Sequence, residues 1–365
     1  MNISVFALTK NGAELGERLC RKIDGAYLYL PVRFKGSFNA AFLNDFRNQV
    51  GQAFGKSDGL VFIMASGIVV RSIAPFLKNK AEDPAVVVMD EKGRYVISLL
   101  SGHLGGANNL AKSIARIIGA KPVITTATDV NNLPCIEDIA KKFNLAIEDF
   151  KKIKMVNSAI VSGRPVAFVD EDAKRLKAIK RFIEQRAGGK GQGARRVRFS
   201  DFKFARETKR LKADVFVIIS HGSPSSLQPS ALSLFLRPKD LVVGIGCDRG
   251  VTRKEVEGAY FSVLKKWDVS PLSVRNIASI DVKKDEKGLL KFAKKYNLKI
   301  DFYSKDKLAD MPLPSGFSKF VMGKVGVGGV CEPAALKSAG TKKIWIKKQK
   351  IGRVTIAVAK APFIS

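Results

Sequence analysis

An α/β fold is predicted for this chain, divided into three α/β domains with mainly parallel sheets at 1–134, 135–238 and 239–365. Three observations predict it. Short apolar runs alternate with amphipathic helical patterns along the length of the chain. At 365 residues and 46% hydrophobic side chains, the polypeptide is large enough for two or three buried cores. Glycine-rich turns recur where apolar runs pass into helical ones, the place where parallel sheets bind ligands.

The elements follow in order. In the first third, strands are predicted at Ile3–Leu8, Ala26–Leu30, Leu60–Ala65, Ala85–Met89, Tyr95–Leu100 and Pro122–Thr125. Helical patterns fall at Ala13–Ile23, Ala40–Phe54, Ile68–Leu77 and Leu104–Ile118, and Glu91-Lys-Gly93 reads as a hairpin turn. The middle third predicts a helix near Ile136–Phe143, strand Val166–Val169, helix Asp172–Arg186 and strand Val215–Ser220. Its Gly188-Gly-Lys-Gly-Gln-Gly193 run reads as an exposed connector. The last third opens with Leu241-Val-Val-Gly-Ile-Gly-Cys-Asp-Arg-Gly250, then a helix begun by the capping box Thr252-Arg-Lys-Glu255. Strand Ile277–Asp281, helix Glu286–Tyr296, strand Leu298–Phe302 and a short helix from Lys305 come next. After a glycine turn at Val325–Val330 and a helix opened by Pro333, strands Lys343–Ile346 and Val354–Ala359 finish the pattern.

Formal net charge is +31, which favours anionic partners: nucleic acid, an acidic membrane surface or a small polyanion. Between Lys174 and Lys212, 15 Lys and Arg stand against three acids, whereas elsewhere lysine is spread along helix faces as solvated surface would be. No run approaches 18 apolar residues, so no spanning helix and no membrane partner is expected. The opening residues read directly into a strand without a signal-peptide pattern, and a cytoplasmic location is expected. Cys20, Cys135, Cys247 and Cys331 are scattered without a CxxC pair, which argues against a zinc site and a disulfide framework. No protein-bound metal or cofactor is therefore expected.

The densest motif is Leu99-Leu-Ser-Gly-His-Leu-Gly-Gly-Ala-Asn108, between a strand and a helix. Glycines there let a bound group approach the backbone, and the helix start offers a seat for an anion. His103, one of only two histidines, is either a base or hydrogen-bond donor for chemistry or a plain loop histidine. Ser101, Gly102, Gly105, Gly106 and Asn108 share its loop. The second histidine, His221, also follows a strand, in a region poorer in motifs.

Ser66, Gly67 and Arg71 mark another strand-to-helix junction. Ser66 suits an N-cap, and Arg71 is a carboxylate fork or a surface arginine. Thr125-Thr-Ala-Thr-Asp129 gathers hydroxyls and an acid after a strand, with Thr126 and Asp129 as candidates. Gly246, Gly328 and Gly329 lie in the later glycine turns, and Glu332 is a helix cap or a catalytic carboxylate. Gly244-x-Gly246-x-x-x-Gly250 misses the dinucleotide spacing by one residue, and no GxxxxGK[ST] occurs.

These blocks together resemble one family: the cobalt-precorrin-5A hydrolases of anaerobic cobalamin (vitamin B12) biosynthesis, the CbiG proteins. The matching residues are Ala65-Ser-Gly-Ile-Val-Val-Arg71, Ala74-Pro75, Lys80 and Asp83-Pro-Ala-Val-Val-Val88. They continue with the histidine-bearing loop, Thr125–Asp129, Gly244–Cys247, Ala278-Ser-Ile-Asp281 with Lys284 and Glu286, and Val325-Gly-Val-Gly-Gly-Val-Cys-Glu-Pro-Ala-Ala335. The first and last thirds carry the likeness, while residues 150–238 carry little of it.

The resemblance implies a hydrolase that opens the ring A lactone of a cobalt tetrapyrrole and releases acetaldehyde, giving cobalt-precorrin-5B. Cobalt then belongs to the substrate. A corrinoid precursor bearing many carboxylates suits a basic receptor, and so broad a disc suits a site at a domain interface. On this reading His103, Asp129 and Glu332 are catalytic candidates. His103 acts as base or orienter of the water, the Gly105 and Gly106 amides seat the oxyanion, and Arg71 binds a carboxylate. Ser66, Gly67, Ser101, Gly102, Asn108, Thr126, Gly246, Gly328 and Gly329 complete the expected substrate contacts. A homodimer is held open. A nucleic-acid-binding basic protein and a non-catalytic tetrapyrrole carrier stand as the alternatives, although no nucleic-acid-binding signature occurs and no such partner is expected.

Overall fold

The computed structural model describes residues 1–79, 82–186, 197–201, 213–222 and 232–363. Two compact units divide the chain, Met1–Asp138 and Ile139–Ser365. The predicted connector Gly188–Gly193 lies outside the described residues, as does much of the basic run around it.

The first unit is built on a seven-stranded sheet. Its strands are β1 (Ile3–Ala7), β2 (Ala26–Pro31), β3 (Ala41–Leu43), β4 (Gly59–Ile63), β5 (Ala85–Met89), β6 (Tyr95–Leu100) and β7 (Lys121–Val123), in the order β3-β2-β1-β4-β5-β6-β7. Helices α1 (Lys10–Cys20), α2 (Phe46–Lys56), α3 (Ser66–Ile73), α4 (Ala107–Ile118), α5 (Ala127–Val130) and α6 (Ile136–Lys142) accompany them, and α6 continues into the second unit.

The central strands β1, β4 and β5 are buried at every position, which is why they read as unbroken apolar runs. Val5, Val61 and Val87 pack with Ile114 of α4 on one face; Phe6, Phe62 and Val88 pack with Val50 of α2 and Val69 of α3 on the other. Phe6 stacks on both Tyr29 and Phe62, with centroids 5.0 and 5.2 Å apart.

One turn reorients this sheet. Both oxygens of Asp90 accept backbone hydrogen bonds, Oδ1 from Lys92 and Oδ2 from Arg94 and Tyr95. The hairpin so closed sends β6 back antiparallel to β5, and β7 then pairs parallel to β6. The carboxyl ends of β6 and β7 therefore lie at the end of the sheet opposite those of β1, β4 and β5.

Two five-stranded sheets make up the second unit. The first contains β8 (Leu145–Ile147), β9 (Val166–Asp170), β10 (Val197–Asp201), β11 (Val215–Ile219) and β12 (Ser233–Pro238), with α7 (Ile153–Val161) and α8 (Ala173–Arg186). Only β8 runs antiparallel in it. The second contains β13 (Leu241–Cys247), β14 (Val274–Ile280), β15 (Ile300–Tyr303), β16 (Ile344–Ile351) and β17 (Val354–Lys360). Helices α9 (Arg253–Lys266), α10 (Lys287–Lys295), α11 (Lys305–Ala309), α12 (Lys319–Val325) and α13 (Cys331–Ala339) belong to it, and β16 and β17 form an antiparallel hairpin.

The capping box at Thr252 and Glu255 forms as its spacing predicts. Three local expectations are corrected. Ala40–Phe54 is not one helix: Ala41–Leu43 is a strand, and Asp45 caps a later helix by accepting from the Asn48 amide at 3.1 Å. The helix predicted from Leu104 starts at Ala107, because Gly106 takes a left-handed φ of 88°. Ala65 holds the N-cap position expected for Ser66, which is the first helical residue.

Candidate active site

His103 sits in the loop joining β6 to α4. Its Nε2 is 2.9 Å from Thr128 Oγ1 and 3.6 Å from Asp129 Oδ2, both in the segment after β7. On the other side of the ring, Nδ1 lies 3.3 Å from Cys135 Sγ and 3.8 Å from Asp138 Oδ1. One imidazole is thus held from both ring nitrogens.

The sheet explains the meeting. β6 and β7 are parallel neighbours, so the loops leaving their carboxyl ends lie side by side. Asn108, buried in the first turn of α4, ties the two loops together. Its amide nitrogen donates to Asp129 Oδ2 at 2.9 Å and to Thr126 Oγ1 at 3.1 Å, while its Oδ1 accepts from Ser98 at 2.6 Å. Thr126 in turn donates to Asp129 at 2.8 Å. Lys112, one helical turn after Asn108, reaches Asp129 Oδ1 at 3.1 Å.

The loop can take this shape only with small residues at its crossing. Ser101 has a φ of 56°, and a Cβ on Gly105 would stand 2.5 Å from the Ser101 Cβ. The Ala107 and Asn108 amides donate to the Ser101 and Gly102 carbonyls at 3.1 and 3.0 Å, so the anion seat expected at the helix start is closed at those two positions.

Electrostatics set the charge state. Burial would lower the pKa of His103, but the Asp138 carboxylate, with Glu137 and Asp129 behind it, more than offsets this and raises it. Burial would raise Asp129, yet the hydrogen bonds from Thr126 and Lys112 and their charges hold it below the usual carboxylate value. The Cys135 thiol is pushed well up by burial and by the Asp138 and Glu137 charges, so it is a neutral S–H beside a ring that favours its proton.

Other expected residues lie elsewhere. Ser66, Gly67 and Arg71 follow β4, at the end of the sheet opposite His103, and all three are exposed. The Arg71 guanidinium folds back to 3.5 Å from where a Gly67 Cβ would stand. The hairpin expected at Glu91–Gly93, closed by Asp90, reverses β6 and so separates Arg71 from His103.

Glu332, Gly246, Gly328 and Gly329 belong to the second unit. Glu332 is 3% exposed and accepts from Ser315 Oγ at 2.7 Å, the Lys348 amide at 3.0 Å and the Ser315 amide at 3.1 Å. That set ties three segments of backbone together. A Cβ on Gly246 would stand 2.6 Å from Thr355 Oγ1, while Leu313 and Phe317 lie over Gly328 and Leu313 over Gly329. Arg175, counted in the basic run, is 1% exposed and paired with Asp170 at 2.7 Å.

Sequence reasoning missed four members of the His103 cluster. Lys112 was within reach, since it lies four residues after Asn108 on one helix face. Thr128 stood inside the hydroxyl-rich run Thr125–Asp129. Cys135 and Asp138 gave no local signal, because only the turn after α5 brings them back to the ring.

Fold and site define an α/β protein of three open sheets, with a histidine held among hydroxyl, thiol and carboxylates at the carboxyl ends of two neighbouring strands. Residues 48–129 match the model for the cobalamin synthesis G N-terminal region, 134–238 that for the cobalamin biosynthesis central region, and 241–359 that for the cobalamin synthesis G C-terminus. The cobalt-precorrin-5A hydrolase of Priestia megaterium is 34% identical over 372 residues, covering 99% of this chain and 95% of that protein. The enzyme of the same name from Salmonella typhimurium is 33% identical, covering 92% and 91%. A crystal structure of a cobalamin biosynthesis protein G homolog from Sulfolobus solfataricus is 21% identical, with coverage of 99% and 97% and a TM-score of 0.37. The chain belongs to the cobalamin biosynthesis protein G family. Among the described residues, no helix is long and apolar enough to cross a membrane.

Proposed function

We propose that this chain is a cobalt-precorrin-5A hydrolase of cobalamin biosynthesis, with its chemistry at His103. Full-length identity to relatives of that name supports the reaction. The single observation that carries the placement is the imidazole gripped between Thr128 and Asp129 on one side and Cys135 and Asp138 on the other. Cobalt enters this reading inside the substrate.

Water adds to the lactone carbonyl and the acyl C–O bond breaks, leaving a carboxylate and an alcohol. The alcohol then loses its proton as a C–C bond breaks, acetaldehyde departs, and the bonding pair passes to the macrocycle. A ring whose pKa is raised by its carboxylate neighbours suits the first half as donor to the departing oxygen. Once neutral, it takes the alcohol proton in the second half, so the base role expected for His103 follows its role as acid. Asp129 serves here as the group that keeps the ring charged and oriented. The Gly105 and Gly106 amides are the proposed oxyanion donors. With net charge +31, and Lys112 beside Asp129, a polycarboxylate is the fitting partner. All four cysteines are free thiols, which suits a reducing cytoplasmic setting.

The test is to incubate purified protein with the lactone intermediate and assay acetaldehyde. Wild type should release it stoichiometrically, and His103→Ala should lose about 100-fold or more in turnover. Absence of acetaldehyde from wild type would overturn the activity. Unchanged turnover of His103→Ala at every pH would remove His103 from the mechanism.

A further inference from the structure

The scattered cysteines gave no metal-ligand spacing, yet Cys135 meets His103 and Asp138 in space. One ligand atom from each, Nδ1, Sγ and a carboxylate oxygen, lie within 4.8 Å of one another. We propose that His103 Nδ1, Cys135 Sγ and Asp138 Oδ1 bind one divalent ion of the zinc class, leaving a fourth position for water or a substrate oxygen.

Geometry is the first support. In a tetrahedral zinc site the N···S and N···O edges are about 3.5 and 3.3 Å, given zinc–ligand bonds of about 2.0–2.3 Å. The observed edges from Nδ1 are 3.3 Å to sulfur and 3.8 Å to oxygen. The sulfur-to-oxygen edge is within 4.8 Å, so the set closes by drawing the Asp138 carboxylate toward the other two ligands.

Donor chemistry is the second. Imidazole, thiolate and carboxylate together select a borderline ion such as zinc over magnesium or calcium. Three protein ligands with one open place is the pattern of catalytic zinc rather than structural zinc. Cys135 and Asp138 are three residues apart at the start of α6, and the Asp138 amide already donates to the sulfur at 3.4 Å.

The third support lies behind the ligands. A metal-bound histidine normally gives its other N–H to a carboxylate, backbone carbonyl or water, which fixes the tautomer. His103 Nε2 faces Thr128 Oγ1 and, behind it, Asp129. The side chains of His103 and Asp138 are 13% and 18% exposed, so an ion has a way in. Positive charge at this point is then supplied by the ion in place of the Nδ1 proton, and the thiol becomes a thiolate when it binds.

The proposal does not rest on the hydrolase reading: an ion on Nδ1 takes the place of the exchangeable proton there, so zinc binding and the acid–base role are alternatives at His103, and the test reads metal rather than turnover. Chelator-treated full-length protein is titrated with Zn²⁺ by calorimetry, and with Co²⁺ by absorbance. One equivalent of Zn²⁺ should bind tighter than about 1 µM, and Co²⁺ should give a thiolate-to-cobalt charge-transfer band in the near ultraviolet. Cys135→Ser should abolish that band, and Asp138→Asn, close to isosteric, should weaken Zn²⁺ at least tenfold with an unchanged circular dichroism spectrum. Failure of the wild type to bind one equivalent, or a band that survives Cys135→Ser, would overturn the site. Acetaldehyde release measured on the same chelated protein separates the two readings, because its absence in both metal-free and zinc-loaded samples counts against the reaction and not against the site.

Discussion

Asn108 donates to Asp129 Oδ2 at 2.9 Å across two loops that are 21 residues apart in sequence. This bond, with its partner to Thr126, clamps the loop that carries His103 against the segment that carries Thr128 and Asp129. Asn108→Ala removes three side-chain hydrogen bonds in a buried place, a loss of about 1–3 kcal/mol. The expected outcome is a fall in kcat for acetaldehyde release of about 10- to 100-fold, with KM within about twofold. Steady-state kinetics check it; a change confined to KM would show that Asn108 holds substrate instead of the loops.

Glu332→Gln tests a different carboxylate. Its oxygens accept from two backbone amides and one hydroxyl, and a side-chain NH₂ must turn toward at least one of those donors. Thermal stability should drop by about 1–3 kcal/mol while turnover per folded molecule stays within about threefold. Loss of turnover by about 100-fold without loss of stability would make Glu332 a reacting group.

In the second unit, Arg175 and Asp170 form a buried two-point ion pair at 2.7 and 2.9 Å. Burial raises the pKa of Asp170, and Arg175 only partly counters it. Arg175→Met strands that carboxylate and should destabilise the protein by about 3–5 kcal/mol. Adding Asp170→Asn should restore about half of the loss. Denaturant titration of the two variants decides, and a single variant as stable as wild type would show that the pair contributes nothing.

His221, 2% exposed, sits between Asp240 and Glu171. Lys360 stands 3.9 Å from the same Glu171, Arg175 stands 3.5 Å from Asp240, and Trp345 covers the ring at a centroid distance of 5.2 Å. Burial would lower the pKa of His221, but the two carboxylates more than offset it, so it is raised in the folded chain. Stability from this contact is therefore full below the unfolded value of about 6.5 and is lost as pH rises through the folded value. The Tm difference between wild type and His221→Gln should be greatest near about pH 6 and shrink above the folded value. A difference that grows with pH would contradict the assignment.

The alternation of strands and helices was legible because each apolar run has to bury itself on one period or the other, as β4 and β5 do at every residue. Two of the shortest strands were not. β3 and β8 have three residues each, too few to show a period. At the site, His103, Asn108, Thr126 and Asp129 were visible as a glycine-loop histidine and a post-strand acid with its hydroxyls. Glycines divided less clearly. Gly105 shapes the His103 loop, whereas a Cβ on Gly244 would stand 1.8 Å from the Cys331 carbonyl, so that glycine admits a helix of the same chain.

Local sequence determined the fold class, the loop that bears His103 and the strong positive charge, because periodicity, turn chemistry and composition act over a few residues. Tertiary structure decided that β4 and β5 run parallel, so that the hairpin read at Glu91–Gly93 leaves Arg71 and His103 at opposite ends of one sheet, and it alone decided that Cys135 and Asp138 close on the imidazole. Pairing between distant strands and the long-range return of the chain depend on how whole elements pack, and no short stretch of residues encodes either by itself.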